Sequence, residues 1–322
     1  MNAFVLALLA SPLPAALLAQ AATPPAVALA QASEPFVKAT AEEAVRTLAT
    51  KLEEDFVFPD KGRAYAAMLQ GKLAAGKYSN FADAGAFATA VTDDLQAVHE
   101  DRHLRVRVVP AQARSGPDAE RSGPPQGSAI ARSGWLADGV AYIRFDGFPG
   151  NDATMAALRT FIDAHKDASS LIIDARAHRG GGLAEMDLLF PQLFQQPTVL
   201  VEMDTRAAVD ARSGNPIDEA SLRKIAGPDG VVRRQHFVIP AARPTGLRSA
   251  KAYLLTSDRT ASAGEHLSLS LKRTKRATLI GETTRGAGHY GSVEQLDKDF
   301  TFDAFVPVGR TFDPDTGEGW EG

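Results

Sequence analysis

The sequence predicts an α/β protein in which a small helical unit precedes a sheet covered by helices. Two observations support this class. Apolar residues recur at helical spacing up to about residue 100, and beyond residue 133 short apolar strands alternate with amphipathic helices. A rhythm of strand, helix and strand is typical of a largely parallel or mixed sheet. With 322 residues, 44% of them hydrophobic, the chain is long enough to bury such a core.

The first 32 residues differ in composition from the rest of the chain. The stretch from Phe4 to Ala19 is apolar, is interrupted by two prolines and is short for a membrane span. A-x-A patterns follow at residues 19–21 and 30–32, and small residues at this spacing mark the cleavage sites of export signals. We therefore expect residues 1–32 to be a signal peptide and the processed protein to be periplasmic or secreted, with no membrane span.

Residues 36–100 are predicted to form an N-terminal domain of three helices. The first helix has apolar residues at helical spacing from Val37 to Phe56. Pro59 is predicted to begin the second helix, and the third follows Ser79-Asn80.

The periodicity changes from helix to strand just after His99. Apolar and basic residues alternate from Leu104 to Val108, as they do in a strand with one buried face. Residues 110–133 are rich in proline, glycine, serine and arginine, which favours a flexible linker. Residues 101–133 are therefore predicted to be a strand and a linker.

Residues 134–322 are predicted to form the α/β core. Helices are expected from Asn151, after a glycine run at residues 180–182 and from Ser262. Residues 204–235 are charged and poorly patterned, so they are predicted to be an irregular insertion. The predicted strands cover residues 139–145, 171–174, 198–203, 252–256 and 277–281.

The composition excludes several classes of function. The net charge of −4 gives no basic surplus for nucleic-acid binding. Because the chain has no cysteine, it cannot contain a disulfide framework, a cysteine-ligated zinc or a thiol nucleophile. No motif indicates a cofactor, since the glycine run lacks the G-x-G-x-x-G spacing and the P-loop lysine of nucleotide-binding proteins.

Ser262 lies where a predicted strand passes through a turn into a helix. This position places a hydroxyl among unpaired backbone amides at the positive end of a helix dipole. The site favours a developing oxyanion, with the N–H of Ala263 as a natural donor. Serine is also a common N-cap, so the local sequence leaves a purely structural role open.

The glycines at residues 180–182 follow a predicted buried strand that ends at Asp174. Glycine lets the backbone approach a ligand closely, so this loop could supply a second oxyanion amide or bind a phosphate. A simple tight turn is the alternative.

His99, Glu100 and His103 match the H-E-x-x-H pattern of zinc peptidases. That pattern requires a helix, because two histidines four residues apart share a face only at helical period. Since the chain turns to strand patterning and no third ligand follows, a zinc metallopeptidase is a minor alternative. The α/β-hydrolase class is excluded because G-x-S-x-G does not occur.

Five motifs in order resemble the C-terminal-processing (tail-specific) serine peptidases. The similarity covers residues 36–322 and is greatest to the branch that includes tricorn protease and the interphotoreceptor retinoid-binding protein. The motifs are D-R-H-L from Asp101, D-x-R before the glycine run, T-A-S-A-x-E from Thr260, G-E-x-T-x-G from Gly281, and P-x-T-G-x-x-W-E from Pro314.

This resemblance implies a crotonase-like (ClpP/crotonase-type) fold and a serine endopeptidase acting on peptides or unfolded proteins. A neutral imidazole that takes the serine proton and a carboxylate that orients it form a sensible relay. By resemblance, the nucleophile is Ser262, the base is His103, the orienting carboxylate is Glu321, and the oxyanion donors are Ala263 and the region of Gly180 and Gly181.

Two further expectations follow from the resemblance. Ala287 occupies the position at which another branch has a lysine base, so a serine–lysine dyad is excluded. Some relatives bind apolar ligands or peptides without cleaving them, so a non-catalytic binding module on the same fold is the main alternative.

Overall fold

The computed structural model describes residues 34–111, 114, 127–217 and 219–321. These residues belong to one compact unit, which begins at Ser33. The predicted signal peptide at residues 1–32 and most of the predicted linker lie outside the described residues. Within the described ranges, no helix is long and apolar enough to cross a membrane.

The three predicted N-terminal helices are present. They are α1 (Lys38–Asp55), α2 (Pro59–Ala74) and α3 (Ala84–Val98). Helix α3 begins where the side chain of Asp83 accepts the N–H of Ala86 at 2.7 Å, which satisfies one of the free amides of the first turn. The helices bury their apolar faces in one cluster with residues of the last strand, so they pack directly on the sheet.

The core contains a five-stranded sheet in the order β2-β3-β4-β8-β9. Strands β3, β4, β8 and β9 pair in parallel, and β2 pairs antiparallel at the edge. The predicted alternation of strands and helices is therefore confirmed. The strands are β2 (Ile130–Ala137), β3 (Val140–Phe145), β4 (Ser170–Asp174), β8 (Lys251–Thr256) and β9 (Ala277–Gly281).

Three helices cover this sheet. They are α4 (Asp152–Ala164), α5 (Ala184–Leu193) and α7 (Ala263–Arg273). Each follows a strand of the parallel sheet, as crossover connections require. The turns that carry the glycine run and Ser262 both lie beyond the carboxyl ends of strands, where α/β proteins place their ligand sites.

A second, six-stranded sheet is antiparallel throughout. Strand β11 is central to it, because it pairs with β1, β5 and β10. The strands are β1 (Val106–Val108), β5 (Thr198–Arg206), β6 (Leu222–Ile225), β7 (Val231–Val238), β10 (His289–Gln295) and β11 (Phe302–Phe312).

The prediction of an irregular insertion at residues 204–235 was wrong. This stretch contains the end of β5, helix α6 (Ala207–Ser213), β6 and most of β7. The physical reason is that charged residues here form ion pairs within the sheet. Arg233 Nε, for example, lies 2.7 Å from Oδ1 of the buried Asp204, and such pairs hide the apolar alternation of a strand.

Candidate active site

Ser262 lies immediately before helix α7 in a strained backbone conformation. Its φ is 54° and its ψ is −117°, a region that residues other than glycine seldom adopt. The buried carboxylate of Glu265 stabilises this turn by accepting the N–H of Ser262 at 2.8 Å. The same carboxylate accepts the N–H groups of Gly286 and Ala287 at 2.6 and 2.8 Å. Glu265 therefore joins the serine turn to the loop that precedes β10.

Two backbone N–H groups beside Ser262 are free to bind an oxyanion. Within the described residues, neither Ala263 N–H nor Gly181 N–H has a hydrogen-bond acceptor. The N–H of Gly180, by contrast, donates to Nδ1 of His178 at 3.1 Å. Of the two predicted glycine donors, Gly181 is the one whose amide remains available.

Both glycines are required for close packing at this turn. The φ of Gly180 is 108°, and a Cβ there would lie 2.9 Å from Cβ of Ser262. The φ of Gly181 is 130°, and a Cβ there would lie 2.0 Å from the carbonyl oxygen of Phe148. Any other residue would clash and would adopt a disfavoured left-handed conformation.

His178 connects the glycine loop to the serine turn. Its carbonyl accepts the N–H of Ala261 at 2.9 Å, while its Nδ1 accepts the N–H of Gly180. Burial lowers the pKa of His178 to about 3, so the ring is neutral and Nδ1 remains an acceptor. No motif in the sequence assigned this histidine a role.

His103, the predicted base, lies just before strand β1. Its ring stacks on Phe305 with centroids 5.0 Å apart, and its Nδ1 is buried without a hydrogen-bond partner in the described structure. The backbone N–H of His103 donates to Oδ1 of Asp101 at 2.9 Å. Burial lowers the pKa of His103, although the neighbouring charge of Asp101 opposes this effect, so the neutral ring is favoured.

Glu321, the predicted orienting carboxylate, lies 3.8 Å from Nδ1 of His289 through Oε2, and none of its hydrogen bonds within the described residues goes to the His103 ring. It accepts the N–H of Arg102 at 2.6 Å through Oε1, and the N–H groups of Gly288 and His289 at 2.6 and 3.0 Å through Oε2. Burial raises the pKa of Glu321, and the neighbouring negative charge of Asp101 adds to that effect. The structure thus brings Glu321 to the residue before His103.

The structure adds a histidine that the sequence analysis missed. Nδ1 of His289 lies 2.7 Å from Oδ2 of Asp101, and both side chains are buried. Although burial favours protonation of Asp101, its hydrogen bond with His289 and the charge of that ring lower the pKa of the carboxyl group. His289 lies directly after the glycine-rich loop, two residues beyond Ala287, but none of the five motifs includes it.

A small cavity of about 30 Å³ lies beside the serine. His103 does not border it, whereas His289 does. The other lining residues include Gly181, Ser262, Ala263, His266 and Trp320.

Asp101, His289 and Glu321 are also the described residues that come closest to a metal-ligand set, since their ligand atoms lie within 4.8 Å of one another. Both carboxylates, however, already accept backbone N–H groups. Donors directed at these oxygens suit an anionic carboxylate that is held by protein, so the donor set is a poor fit for a resident cation.

The helix that the zinc alternative requires is absent. Helix α3 ends at Val98, and His99 is extended, with a φ of −161°. His99, Glu100 and His103 therefore do not share a helical face, and the zinc-peptidase interpretation was wrong.

Comparison with known proteins gives the same fold. A candidate peptidase from Parabacteroides merdae is 13% identical, with 88% of each chain covered and a TM-score of 0.57. The photosystem II D1 C-terminal processing protease is 14% identical, with 88% of this chain and 90% of the other covered and a TM-score of 0.52. A lipoprotein from Streptococcus agalactiae is 14% identical, with 89% and 90% covered and a TM-score of 0.52. The predicted fold class is confirmed.

Two family models match the sequence itself. Residues 27–132 match the N-terminal domain of S41 peptidases in eukaryotic IRBP. Residues 139–322, more than half of the chain, match peptidase family S41. The resemblance that the motifs suggested is therefore confirmed, and the chain belongs to the S41 family of serine-type peptidases.

Proposed function

We propose that this protein is a serine endopeptidase that hydrolyses peptide bonds in peptides or unfolded proteins, with Ser262 as the nucleophile. The observation that carries the proposal is the conjunction at Ser262 of a strained backbone and two free backbone amides. Strain of this kind persists where the surrounding structure enforces it, and it is concentrated at functional sites. A serine that served only as an N-cap would need neither feature.

Attack by the Ser262 hydroxyl on a peptide carbonyl places negative charge on the carbonyl oxygen. Ala263 N–H and Gly181 N–H are the proposed donors to that oxygen. The N-terminus of α7 adds the positive end of its dipole. Preorganised donors of this kind lower the barrier because they need no reorganisation during the reaction.

We assign the base to His103, as the resemblance implies. Its neutral ring can accept the serine proton and later return it to the leaving amine. In this proposal Glu321 orients His103 through the backbone, because its carboxylate holds the N–H of Arg102 at 2.6 Å.

His289 is a second candidate for the base. Two observations favour it: its hydrogen bond to Asp101 resembles the carboxylate–imidazole pair of a catalytic triad, and its ring borders the same cavity as Ser262. Substitution of each histidine separates the two assignments, as described in the Discussion.

The primary test combines activity with active-site labelling. We expect the purified protein to hydrolyse a denatured protein substrate and to react with a fluorophosphonate probe at Ser262. Ser262→Ala should abolish labelling and reduce kcat by a factor on the order of 10⁴. Ser268→Ala is the matched control, since Ser268 lies on the same helix and its hydroxyl donates to the carbonyl of Gly264. A folded protein that neither labels nor cleaves would instead favour the non-catalytic binding module.

We also propose that the protein is exported and acts in the periplasm or outside the cell. The support is the apolar N-terminal segment followed by A-x-A patterns within residues 1–32. N-terminal sequencing of the protein recovered from an expressing cell tests this. A mature protein that begins near residue 22 or residue 33 is expected, and an uncleaved Met1 would contradict it.

A further inference from the structure

A chain of three hydrogen-bonded side chains, two of them buried, leads from the cavity beside Ser262 through β7 to α5. His266 lies one turn after the serine on α7, and its backbone N–H donates to the carbonyl of Ser262 at 3.0 Å. Its ring borders the cavity, and its Nε2 lies 2.8 Å from Nδ1 of His236 on β7. Nε2 of His236 in turn lies 2.8 Å from Oδ1 of Asp187 on α5.

For two neutral imidazoles, the carboxylate at the end of this chain sets the direction of every proton in it. An ionised Asp187 can only accept, so Nε2 of His236 carries the proton. Nδ1 of His236 is then an acceptor, and Nε2 of His266 must be its donor. The other oxygen of Asp187 accepts the hydroxyl of Ser221 at 2.7 Å, which holds the carboxylate in place.

This arrangement leaves Nδ1 of His266 unprotonated. That nitrogen is the one polar position that the ring can offer to an occupant of the cavity, and it is an acceptor. His266 and His236 are 3% and 1% exposed. Burial and the neighbouring His236 lower the pKa of His266 well below its ordinary value, which keeps the ring neutral.

The cavity is small, and it is lined by apolar residues as well as by polar ones such as His289 and Thr311. Its volume of about 30 Å³ accommodates only a few heavy atoms, and Leu183, Met203 and Ile217 contribute apolar walls. Because Ser262 and Ala263 border the same space, an occupant would be attached to the residue whose carbonyl the serine attacks.

We propose that this cavity binds the side chain on the acyl side of the cleaved bond and that His266 selects a small side chain with a hydroxyl donor, serine above all. This inference rests on the proposed peptidase function. Alanine fits the same space but leaves the acceptor of His266 without a donor. A buried acceptor that loses its donor costs about 1 kcal/mol or more, which corresponds to roughly a fivefold to tenfold preference for serine. Larger side chains are excluded by volume.

The test uses the full-length protein and a set of peptides that differ only at the residue before the cleaved bond. With serine, alanine, leucine or lysine at that position, kcat/KM is expected to decrease in the order serine, alanine, then leucine and lysine together. The serine-to-alanine ratio should be roughly fivefold to tenfold, and leucine should be at least a hundredfold below alanine.

Two variants test the role of this hydrogen-bonded chain. His266→Leu keeps a similar volume and removes the acceptor, so the serine-to-alanine ratio should fall to about one while the alanine peptide is still cleaved. His236→Phe keeps an aromatic ring and frees the proton of His266 to move to Nδ1, so the ratio should fall in the same direction. A merely structural role would lower kcat for all peptides and leave the ratio unchanged.

The kcat/KM values of the native protein for the four peptides test the inference even if both variants fail to fold. Preference for leucine or lysine over serine and alanine would overturn the inference, as would a native serine-to-alanine ratio near one. If Ser262 does not label and no peptide is cleaved, the peptidase proposal itself fails. Labelling and cleavage without the predicted selectivity would overturn only the role of the cavity.

Discussion

The carboxylate of Asp101 holds the ring of His289 at 2.7 Å, although 188 positions of sequence separate the two residues. The other oxygen of Asp101 accepts the N–H groups of His103 and Leu104 at 2.9 and 3.1 Å. One buried carboxylate thus holds the ring of His289 and the backbone of His103, the two candidate bases, and Glu321 accepts a backbone N–H beside the first and from the residue before the second.

The first prediction separates the two histidines. His103→Ala is expected to reduce kcat by a factor on the order of 10³–10⁴ with little change in KM, because the proton acceptor is lost. His289→Ala is expected to reduce kcat by only about tenfold, through looser positioning of the cluster. Steady-state kinetics and fluorophosphonate labelling of both variants provide the measurement. If the two effects are reversed in size, the base is His289 with Asp101 as its orienting partner.

The second prediction concerns the pH dependence of activity. Burial disfavours the charged ring of His103 and lowers its pKa from the ordinary value of 6.5. The ring therefore stays neutral to a lower pH than an exposed histidine does. The acidic limb of kcat/KM should therefore lie below pH 6.5, since activity is lost only when the free base becomes protonated. A limb at or above that value would mean that the surroundings of the base do not disfavour its protonated form.

The third prediction concerns the oxyanion loop. Gly180→Ala should reduce kcat by roughly a hundredfold, because a Cβ at that position would lie 2.9 Å from Cβ of Ser262 and would displace the serine. The matched control is Gly71→Ala, since a Cβ at Gly71 meets nothing within 4 Å. This control should leave kcat unchanged and raise stability by about 0.5–1 kcal/mol, because Gly71 lies inside helix α2. Equal kcat values for the two variants would show that close packing at Gly180 does not position Ser262.

The fourth prediction concerns Glu265, which is 2% exposed and accepts three backbone N–H groups. Glu265→Gln replaces one accepting oxygen with an N–H₂ group that faces donors. We expect a loss of roughly 2 kcal/mol or more in stability and a decrease of at least tenfold in kcat. Thermal unfolding and kinetics of this variant should be compared with Glu53→Gln on the exposed face of α1. Indistinguishable variants would show that the carboxylate does not hold the serine turn.

The fifth prediction concerns stability against acid. His178 has a pKa of about 3 in the folded protein against 6.5 as an ordinary value, so the unfolded chain binds more protons between these two values. The contribution of neutral His178 is complete above pH 6.5 and is lost progressively as the pH falls towards 3. Between pH 6.5 and pH 5 the free energy of unfolding should fall by about 2 kcal/mol from this group. Urea unfolding of His178→Leu should show a correspondingly shallower pH dependence, and an identical slope would contradict the assignment.

Periodicity was sufficient to predict the helices α1–α3 and the parallel sheet, because their buried faces are continuous and apolar. It failed at residues 204–235, where ion pairs such as that of Arg233 with Asp204 occupy positions in the sheet. The same pairs fix the antiparallel register of β5 and β7, in which Arg233 lies opposite Asp204. Apolar periodicity therefore does not predict a strand that pairs with its neighbour through charged side chains.

The candidate site was predictable where its chemistry is local and was missed where it is not. Ser262 and Ala263 follow from a strand that turns into a helix, and one short segment contains both. The pair of His289 and Asp101 is created by the meeting of β10 with the turn before β1, so no local spacing encodes it. The occupied N–H of Gly180 also depends on a side-chain contact, with His178, that residue order does not reveal.

The three amides that Glu321 accepts belong to two segments that are far apart in the sequence, the turn at Arg102 and the start of β10 at Gly288 and His289. Loss of this one carboxylate would therefore loosen the backbone beside both imidazoles at the same time. The two candidate bases thus depend on a single side chain for their position.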